Sequence, residues 1–284
     1  MEQTRHCPKL THMTLGGDRD AMEQDEILPF LKSRVDLPAR LQELKIVGKL
    51  WFGDGSWDLV KTHFSTTIRV LEFPNAVDIA GKTVQDILCS LPHLEEFVAP
   101  FLQDLDILND PRPWICHRLV KLSVAIQLTD AAAAVANATL TAARQEQDTS
   151  LPSPLPTTAS TESMIFGRLG ALKSLKTLNL MLNPHHFGGD YQRLSDFQSL
   201  KFSLEHGIEW LKGLKQLDVL LLTNTSQKCT KTDVLWMLEH WPEMRYLYGD
   251  LHTDNSTNVA LRRMLDDQGI YSNGVAASGV SVTC

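Results

Sequence analysis

One six-residue pattern recurs eight times along this chain and constrains its fold more than any other feature. A leucine or similar apolar residue is followed by two variable residues, an apolar residue, one variable residue and a third apolar or small residue. Repeated units of about 20–29 residues with such a phrase are typical of solenoids, in which each unit supplies a strand and a return connection. The middle apolar positions are Met13, Leu44, Leu71, Phe97, Leu122, Leu178, Leu220 and Leu247.

The spacing of the pattern predicts how the units are arranged. Successive middle positions lie 31, 27, 26, 25, 56, 42 and 27 residues apart, so the two long steps require insertions. A single unit cannot bury its own leucines, whereas strands stacked side by side line one continuous core. We therefore predict an α/β fold: a leucine-rich-repeat solenoid with parallel strands on its concave face and helices or irregular connections on its convex face.

Several of the connections between repeats have a helical pattern, with apolar residues at offsets of three and four. Thr230 and Asp233 have the spacing of a helix-capping pair, and Gly269 stands where a helix would stop. Residues 200–204 alternate between polar and apolar, as in a short additional strand. The predicted helices span residues 83–91, 204–214, 233–241 and 258–268.

The composition changes abruptly at residues 130–163. An alanine-rich piece is followed there by a Ser/Thr/Pro-rich piece without aromatic residues, which is too polar to build a core. We predict one solenoid over residues 1–269, with a disordered insertion at 130–163, followed by a flexible C-terminal tail at 270–284. The pattern begins at Leu10, so we also expect that little precedes the stack to cap its first unit.

Charge and cysteine content narrow the cellular context. The formal net charge is −7, which argues against a basic nucleic-acid footprint. The chain has no apolar stretch long enough to span a membrane and no secretion signal at its start. Its five cysteines are odd in number and widely spread, and we expect Cys89 and Cys116 to be buried thiols. We predict an intracellular protein, in the cytoplasm or nucleus, that binds neither nucleic acid nor a membrane.

Four segments resemble the leucine-rich-repeat region of fungal F-box-like proteins, and the similarity extends from about Leu41 to Ile270 outside the insertion. The most specific part is a helix ending in W-M-L-E-H-W-P, followed by a strand and G-x-L. In such families an F-box ahead of the repeats docks on a Skp-type adaptor of a cullin ubiquitin ligase, and the repeats recruit a client. No room for an F-box precedes Leu10, so the resemblance implies the client-recognising part. The segments are residues 92–100 (PHLEEFVAP), 109–124 (NDPRPWICHRLVKLSV), 172–180 (LKSLKTLNL) and 231–251 (KTDVLWMLEHWPEMRYLYGDL).

The sequence carries no motif for catalysis. It has no phosphate-binding loop of the G-x-x-x-x-G-K-[ST] or G-x-G-x-x-G type and no G-x-S-x-G nucleophile elbow. Asp104, Asp106 and Asp110 lack the glycine and terminal glutamate of a calcium loop, and we predict a polar loop there. We therefore predict a protein that is not an enzyme and that uses no cofactor and no metal.

The predicted binding surface is the concave face of the sheet, because residues on either side of a buried strand position point away from the core. Its first half is charged, and its last two strands carry aliphatic residues beside tyrosines, a combination typical of interface centres. The alternative is that the C-terminal helix or tail covers these tyrosines. The predicted partner-binding residues are Glu43, Lys45, Glu72, Glu96, Lys121, Ser123, Thr177, Asn179, Val219, Leu221, Tyr246 and Tyr248.

These observations predict a non-catalytic protein-interaction module that binds an unidentified client protein. The resemblance places this client recognition in an F-box-type ubiquitin-ligase context, with a Skp-type adaptor as a partner only if an F-box lies upstream. One alternative is a regulator of an enzyme, such as a GTPase-activating or inhibitor-like repeat protein, with Arg112 and Arg193 as candidate arginines. A second alternative is a truncated remnant without independent function.

Overall fold

A computed structural model of the chain describes residues 10–16, 27–35, 40–48, 51–74, 79–129, 161–181, 198–222 and 227–273. Within these ranges the fold is α/β, as predicted: one ten-stranded sheet with helices between its strands. The strands are β1 (His12–Leu15), β2 (Glu43–Ile46), β3 (Val70–Glu72), β4 (Glu96–Gln103), β5 (Lys121–Leu128), β6 (Thr177–Asn179), β7 (Gln198–Ser199), β8 (Val219–Leu221), β9 (Tyr246–Tyr248) and β10 (Tyr271–Asn273).

The helices are short, and none in the described ranges is both long and apolar enough to cross a membrane. A π-helical turn (Val60–Phe64) extends α2, and two 3-10 helices (Leu204–His206 and Ile208–Gly213) precede β8. The α-helices are α1 (Leu28–Lys32), α2 (Asp54–Leu59), α3 (Gly81–Ser90), α4 (Asp104–Leu108), α5 (Thr161–Gly170), α6 (Lys231–His240) and α7 (Asn255–Asp266).

The sheet follows the order of the chain. Its strands run β1-β2-β3-β4-β5-β6-β8-β9-β10, all paired in parallel, while β7 pairs antiparallel with β5. Strands β5 and β6 are direct neighbours, although residues 129–176 separate them in sequence. The eight middle positions of the sequence pattern lie opposite one another from Met13 on β1 to Leu247 on β9, so the predicted strand register is confirmed.

The row of middle positions forms the spine of the core. Seven of its eight members are completely buried, and Met13 at the outer strand is almost so. The apolar faces of the helices belong to the same buried cluster, for example Val84 and Ile87 of α3 and Met237 of α6. Because the helices and the leucines share one core, the helices cover one face of the sheet and leave its other face open.

The sequence signals for three helices are confirmed, with boundaries shifted by a few residues: α3, α6 and α7. Helix α6 begins with the predicted capping pair, in which Thr230 Oγ1 accepts from the Asp233 N–H at 3.3 Å and Asp233 Oδ2 accepts from the Thr230 N–H at 2.7 Å. The turn after α7 ends at Gly269, whose φ of 78° is a left-handed conformation that favours glycine.

The connection over residues 198–214 differs from the prediction. Instead of one helix it contains two 3-10 helices, because Gly207 between them has a φ of 98°. Strand β7 ends at Ser199, and the predicted strand at residues 200–204 does not form. Its backbone N–H groups are bound by side chains instead: Lys201 N donates to Glu162, Phe202 N to Gln227 and Leu204 N to Asp233. These side chains satisfy buried donors that a neighbouring strand would otherwise accept from.

The prediction of a polar loop at Asp104 is wrong. Asp104 is buried and begins α4, where its carboxylate accepts from the Leu105 N–H at 2.8 Å. The same carboxylate also accepts from the backbone N–H and the hydroxyl of Thr129, both at 2.9 Å. The aspartate therefore ties α4 to the end of β5 and is a structural residue.

Two predicted boundaries can be compared with the structure only in part. Most of the predicted insertion at 130–163 lies outside the described residues, and its last three residues begin α5. The predicted tail at 270–284 contains strand β10, which pairs with β9, while residues 274–284 lie outside the described ranges. The pattern failed to reveal β10 because the polar Ser272 takes the place of the middle apolar residue, and its hydroxyl donates to Asp266 Oδ1 at 2.9 Å.

Candidate interaction surface

The open face of the sheet consists of the residues before and after the buried middle row. Strand alternation turns these side chains away from the helices, so the twelve predicted partner-binding residues all stand on this face. They fall into three groups along the stack: a charged group on β2–β5, a small polar group on β5 and β6, and an aliphatic and aromatic group on β8 and β9. Strand β10 extends the third group.

The charged group forms one continuous ladder of ion pairs. Lys45 lies 3.3 Å from Glu43 and 3.8 Å from Glu72. Lys121 lies 3.6 Å from Glu72 and 3.7 Å from Glu96, so each ammonium stands between two carboxylates. Burial lowers the pKa of Lys45, but the carboxylates of Glu72, Glu43 and Glu96 outweigh burial and leave its pKa raised. The five charges largely neutralise one another and hold their side chains in fixed positions.

The small polar group connects the ladder to the aromatic end. Asn179 on β6 donates through Nδ2 to Ser123 Oγ on β5 at 3.0 Å, and its Oδ1 accepts from the Met181 N–H at 2.9 Å. Thr177 stands beside them on β6, half-buried. This part of the face is polar, with short side chains that form hydrogen bonds to neighbouring residues of the sheet.

Three tyrosines gather at the far end of the open face. The rings of Tyr246 and Tyr248 are parallel to within 4°, with 6.3 Å between their centroids. Tyr271 on β10 is inclined by about 60° to both rings, at 6.3 Å from Tyr246 and 6.1 Å from Tyr248. The sequence contains four tyrosines, so three of them meet in this cluster, which we call the tyrosine triad.

An ion pair borders the tyrosine triad. The Arg245 guanidinium lies over the ring of Tyr246, with 5.8 Å between its central carbon and the ring centroid. Arg245 also donates to Asp218 through two nitrogens, one of them Nε at 2.6 Å from Oδ1. This hydrogen bonding and the carboxylate charge raise the pKa of Arg245, so the guanidinium stays charged. The triad therefore has an aromatic centre and a charged rim.

The exposure of the aliphatic and aromatic group is uneven. Tyr246 is 38% exposed and Tyr271 is 53% exposed, while Val219 and Tyr248 are half-buried. Leu221, which stands between Asn179 and Tyr248 in the sheet register, is only 7% exposed and offers little area to a partner. The described C-terminal residues extend this patch with Tyr271 and leave Tyr246 open to solvent.

Tyr271 is the one member of the triad that the sequence pattern did not identify. Its strand lacks the apolar middle residue, because β10 stands at the edge of the sheet where that position is partly solvated. A weaker signal was present: Tyr271 follows the helix stop at Gly269 closely, as the start of a strand would in an α/β repeat.

Of the two arginines considered for an enzyme regulator, Arg112 serves as a structural clamp. Its guanidinium donates to Asp110 through Nε at 2.9 Å and Nη2 at 2.6 Å, and to Asp86 through Nη1 at 2.8 Å. Asp86 also accepts from Trp57 Nε1 at 2.7 Å and from Lys61 Nζ at 2.8 Å, which ties α2 to α3. An arginine held by two carboxylates is poorly placed to reach into another protein's active site. Arg193 lies outside the described residues.

The tryptophans in the segments that carry the family resemblance are core residues. Trp241 is buried and donates through Nε1 to the Leu211 carbonyl at 3.1 Å, and Trp114 is buried and donates to Gln85 Oε1 at 2.9 Å. Trp236 stacks on His240 with 4.4 Å between ring centroids. These tryptophans therefore stabilise the core, whereas other residues of the same segments, such as Tyr246, stand on the open face.

The described residues contain no group of three or more His, Cys, Asp or Glu side chains placed to hold a metal ion. Cys89 and Cys116 are buried free thiols, as predicted, and so is Cys229. Burial raises the pKa of Cys89 to about 11 and the pKa values of Cys116 and Cys229 to about 12. These thiols are therefore protonated at neutral pH and are not activated nucleophiles.

No protein-family model matches the chain, and no curated protein matches it.

Proposed function

We propose that this chain is a leucine-rich-repeat solenoid whose open face binds a client protein without catalysing a reaction. Support for the solenoid comes from the sheet, in which successive repeats pair in chain order and in one register. Support for a binding role comes from the open face, which no described element covers across the tyrosine triad.

The observation that carries this proposal is that a charge ladder and the tyrosine triad occupy the two ends of one continuous face. Tyrosine supplies a large contact area and loses little conformational freedom on binding, which is why it is common at the centres of interfaces. The ladder of Lys45, Lys121 and their three glutamates is already ordered by its own ion pairs. Aligned charges of this kind favour one register of a partner more than they add affinity.

Site-specific photo-crosslinking on the full chain tests this role. A photoreactive phenylalanine analogue at Tyr246 is expected to crosslink a client, while the same analogue at Leu235 on α6 is not. Leu235 is a suitable control because it is 50% exposed but belongs to the helical side of the sheet. The same crosslinked proteins from both positions would contradict the proposal.

Substitution of the triad tests whether it contributes binding energy. The double variant Tyr246→Ala with Tyr248→Ala should lose capture of the crosslinked client. The control variant Leu235→Ala with Val259→Ala removes two side chains that are each 50% exposed, from α6 and α7, and should retain capture. Urea unfolding of both variants checks that the fold persists. Undiminished capture by a folded double tyrosine variant would refute the proposal.

The resemblance to fungal F-box-like proteins extends the proposal to a ubiquitin-ligase context, in which the bound client is ubiquitinated. This extension requires an F-box on the same protein to recruit a Skp-type adaptor. An in-frame F-box in the coding sequence ahead of Met1, together with adaptor co-purification, would support it. A client whose ubiquitination is unchanged when the gene is deleted would contradict it and would leave the binding role intact.

A further inference from the structure

We propose that the tyrosine triad is a subsite for a cationic side chain, a lysine or an arginine, on the partner. This inference rests on the proposed binding role of the open face and specifies the partner chemistry at its aromatic end. The structure holds three observations that favour a cation over an apolar group: the arrangement of the rings, the guanidinium already lying over one of them, and the surplus of carboxylates around them.

The arrangement of the rings fits one positive charge. The centroids of Tyr246, Tyr248 and Tyr271 form a nearly equilateral triangle with sides of 6.3, 6.3 and 6.1 Å. An ion about 3 Å above the centre of this triangle is about 4.7 Å from all three centroids, inside the roughly 6 Å over which ring and cation attract. Tyr246 and Tyr248 are parallel and Tyr271 is inclined by about 60° to both, so the triad presents two ring orientations to such a point.

The structure already contains one cation over this cluster. The Arg245 guanidinium carbon lies 5.8 Å from the Tyr246 centroid, so the environment of this ring accommodates a guanidinium. Arg245 does not repel a second cation strongly, because Asp218 pairs with it and Glu243 also acts on its charge. Two carboxylates and one guanidinium leave this rim with a negative balance.

The charges near the triad also favour a positively charged group on the partner. The part of the chain that carries the triad, residues 218–222 and 227–273, contains eight Asp and Glu residues against five Lys and Arg residues, a net charge of −3. The charges of α6 and α7 in this count lie on the helical side of the sheet, and Asp218, Glu243 and Arg245 are those that border the rings. The charge ladder on β2–β5 consists of three glutamates and two lysines, a net charge of −1, and Lys121 on β5 is its member nearest to the triad. A positively charged segment is thus drawn to the tyrosine end.

Choline and its uncharged tert-butyl isostere separate a cation site from an apolar one, because the two probes have the same shape and differ in charge. We expect the choline methyl resonance to shift upfield in an NMR titration of the full chain, because the methyl groups lie over ring faces. The isostere should bind at least about tenfold more weakly. Tyr271→Phe keeps the ring and should bind choline within about twofold of the native chain, whereas Tyr271→Leu should bind about tenfold more weakly.

Equal binding of choline and its isostere would overturn the inference and would indicate an apolar docking patch. Absence of choline binding would overturn it as well. If the client is then still lost from the Tyr246→Ala, Tyr248→Ala variant, the binding role of the open face stands and only the cationic occupant is wrong. A peptide from the crosslinked client gives the complementary test: replacing its lysine or arginine with norleucine should weaken binding about tenfold, and unchanged binding would contradict the inference.

Discussion

The clamp around Asp86 permits a prediction in which the size and the pH dependence of an effect are both set by geometry. The Asp86 side chain is 18% exposed and accepts from Trp57, Lys61 and Arg112. Trp57 and Lys61 belong to α2 and its π-helical extension, and Arg112 belongs to the connection between α4 and β5. Substituting Asp86→Asn keeps the shape of the side chain and one acceptor oxygen but removes the negative charge. We expect the free energy of unfolding to fall by about 2 kcal/mol at pH 6.

This magnitude follows from the partners. Lys61 and Arg112 are largely exposed, so each ion pair contributes about 0.5 kcal/mol after screening by solvent. The Trp57 N–H belongs to a buried side chain, and weakening its charged acceptor costs about 1 kcal/mol. The titration gives a second estimate. Burial raises the pKa of Asp86, but hydrogen bonds from Lys61, Trp57 and Arg112 outweigh it and lower the pKa from 3.8 to about 2. With a discount for screening, this shift corresponds to about 1–2 kcal/mol.

The same shift fixes the sign of the pH dependence. Since the pKa of Asp86 is lower in the folded chain than in the unfolded chain, its carboxylate stabilises the fold fully above about pH 4. This contribution is lost as the pH falls towards 2. The difference in unfolding free energy between native and Asp86→Asn chains should therefore shrink by about half between pH 6 and pH 3.

Urea unfolding followed by tryptophan fluorescence at pH 6, 4 and 3 measures this difference. Asp54→Asn is the control: Asp54 pairs with Lys82 at 3.6 Å, but both side chains are largely exposed, so we expect a change below about 0.5 kcal/mol at each pH. If the Asp86→Asn variant loses the same amount of unfolding free energy at pH 6 and at pH 3, the charge of Asp86 is not the cause of the loss. A loss no larger than that of Asp54→Asn would refute the clamp itself.

Two further substitutions test the backbone and the buried polar contacts by urea unfolding. Gly249 has a φ of 109°, and a Cβ there would lie 2.5 Å from the Leu222 carbonyl oxygen, so Gly249→Ala should cost about 2–4 kcal/mol of unfolding free energy. Gly167 lies inside a helix with open space around it, so Gly167→Ala should stabilise the fold by about 0.5–1 kcal/mol. Equal effects at the two glycines would contradict this reasoning. Asp233→Ala removes the carboxylate of the α6 capping pair and leaves the Thr230 and Leu204 N–H groups without their acceptor, so it should cost about 2–3 kcal/mol. Glu239 is exposed on the same helix, so Glu239→Ala should change the free energy of unfolding by less than about 0.5 kcal/mol. A similar loss of stability in the Asp233→Ala and Glu239→Ala variants would contradict the structural role of Asp233.

The strand register was predictable because each occurrence of the pattern obeys the same constraint, the burial of one face of a strand. A strand that buries one face must place its apolar residues at alternate positions, and a one-residue slip would expose all of them. The phrase around Leu44, Leu122 and Leu220 therefore identified the buried row and, by alternation, the open face. The helices α3, α6 and α7 were predictable for the related reason that offsets of three and four leave one apolar face.

Residues 200–204 show where such reasoning fails. Their alternation resembles a strand, but strand formation depends on a neighbour with free backbone groups, which is a property of the assembled chain. Here Glu162, Gln227 and Asp233 approach from distant parts of the sequence and accept the N–H donors instead. Asp104 is a similar case, because its partner Thr129 is 25 residues away and no local pattern connects the two.

The sequence by itself determined the alternation of buried and exposed positions, since that depends on the polarity of each residue and on the period of a strand or helix. It therefore identified Tyr246 and Tyr248 as residues of the open face. Only the tertiary structure decided which of these residues meet, because cross-strand neighbours are set by sheet pairing and not by sequence distance. That pairing added Tyr271 to form the triad and left Leu221 covered between its neighbours. It also bound Arg112 to two carboxylates on the helical side.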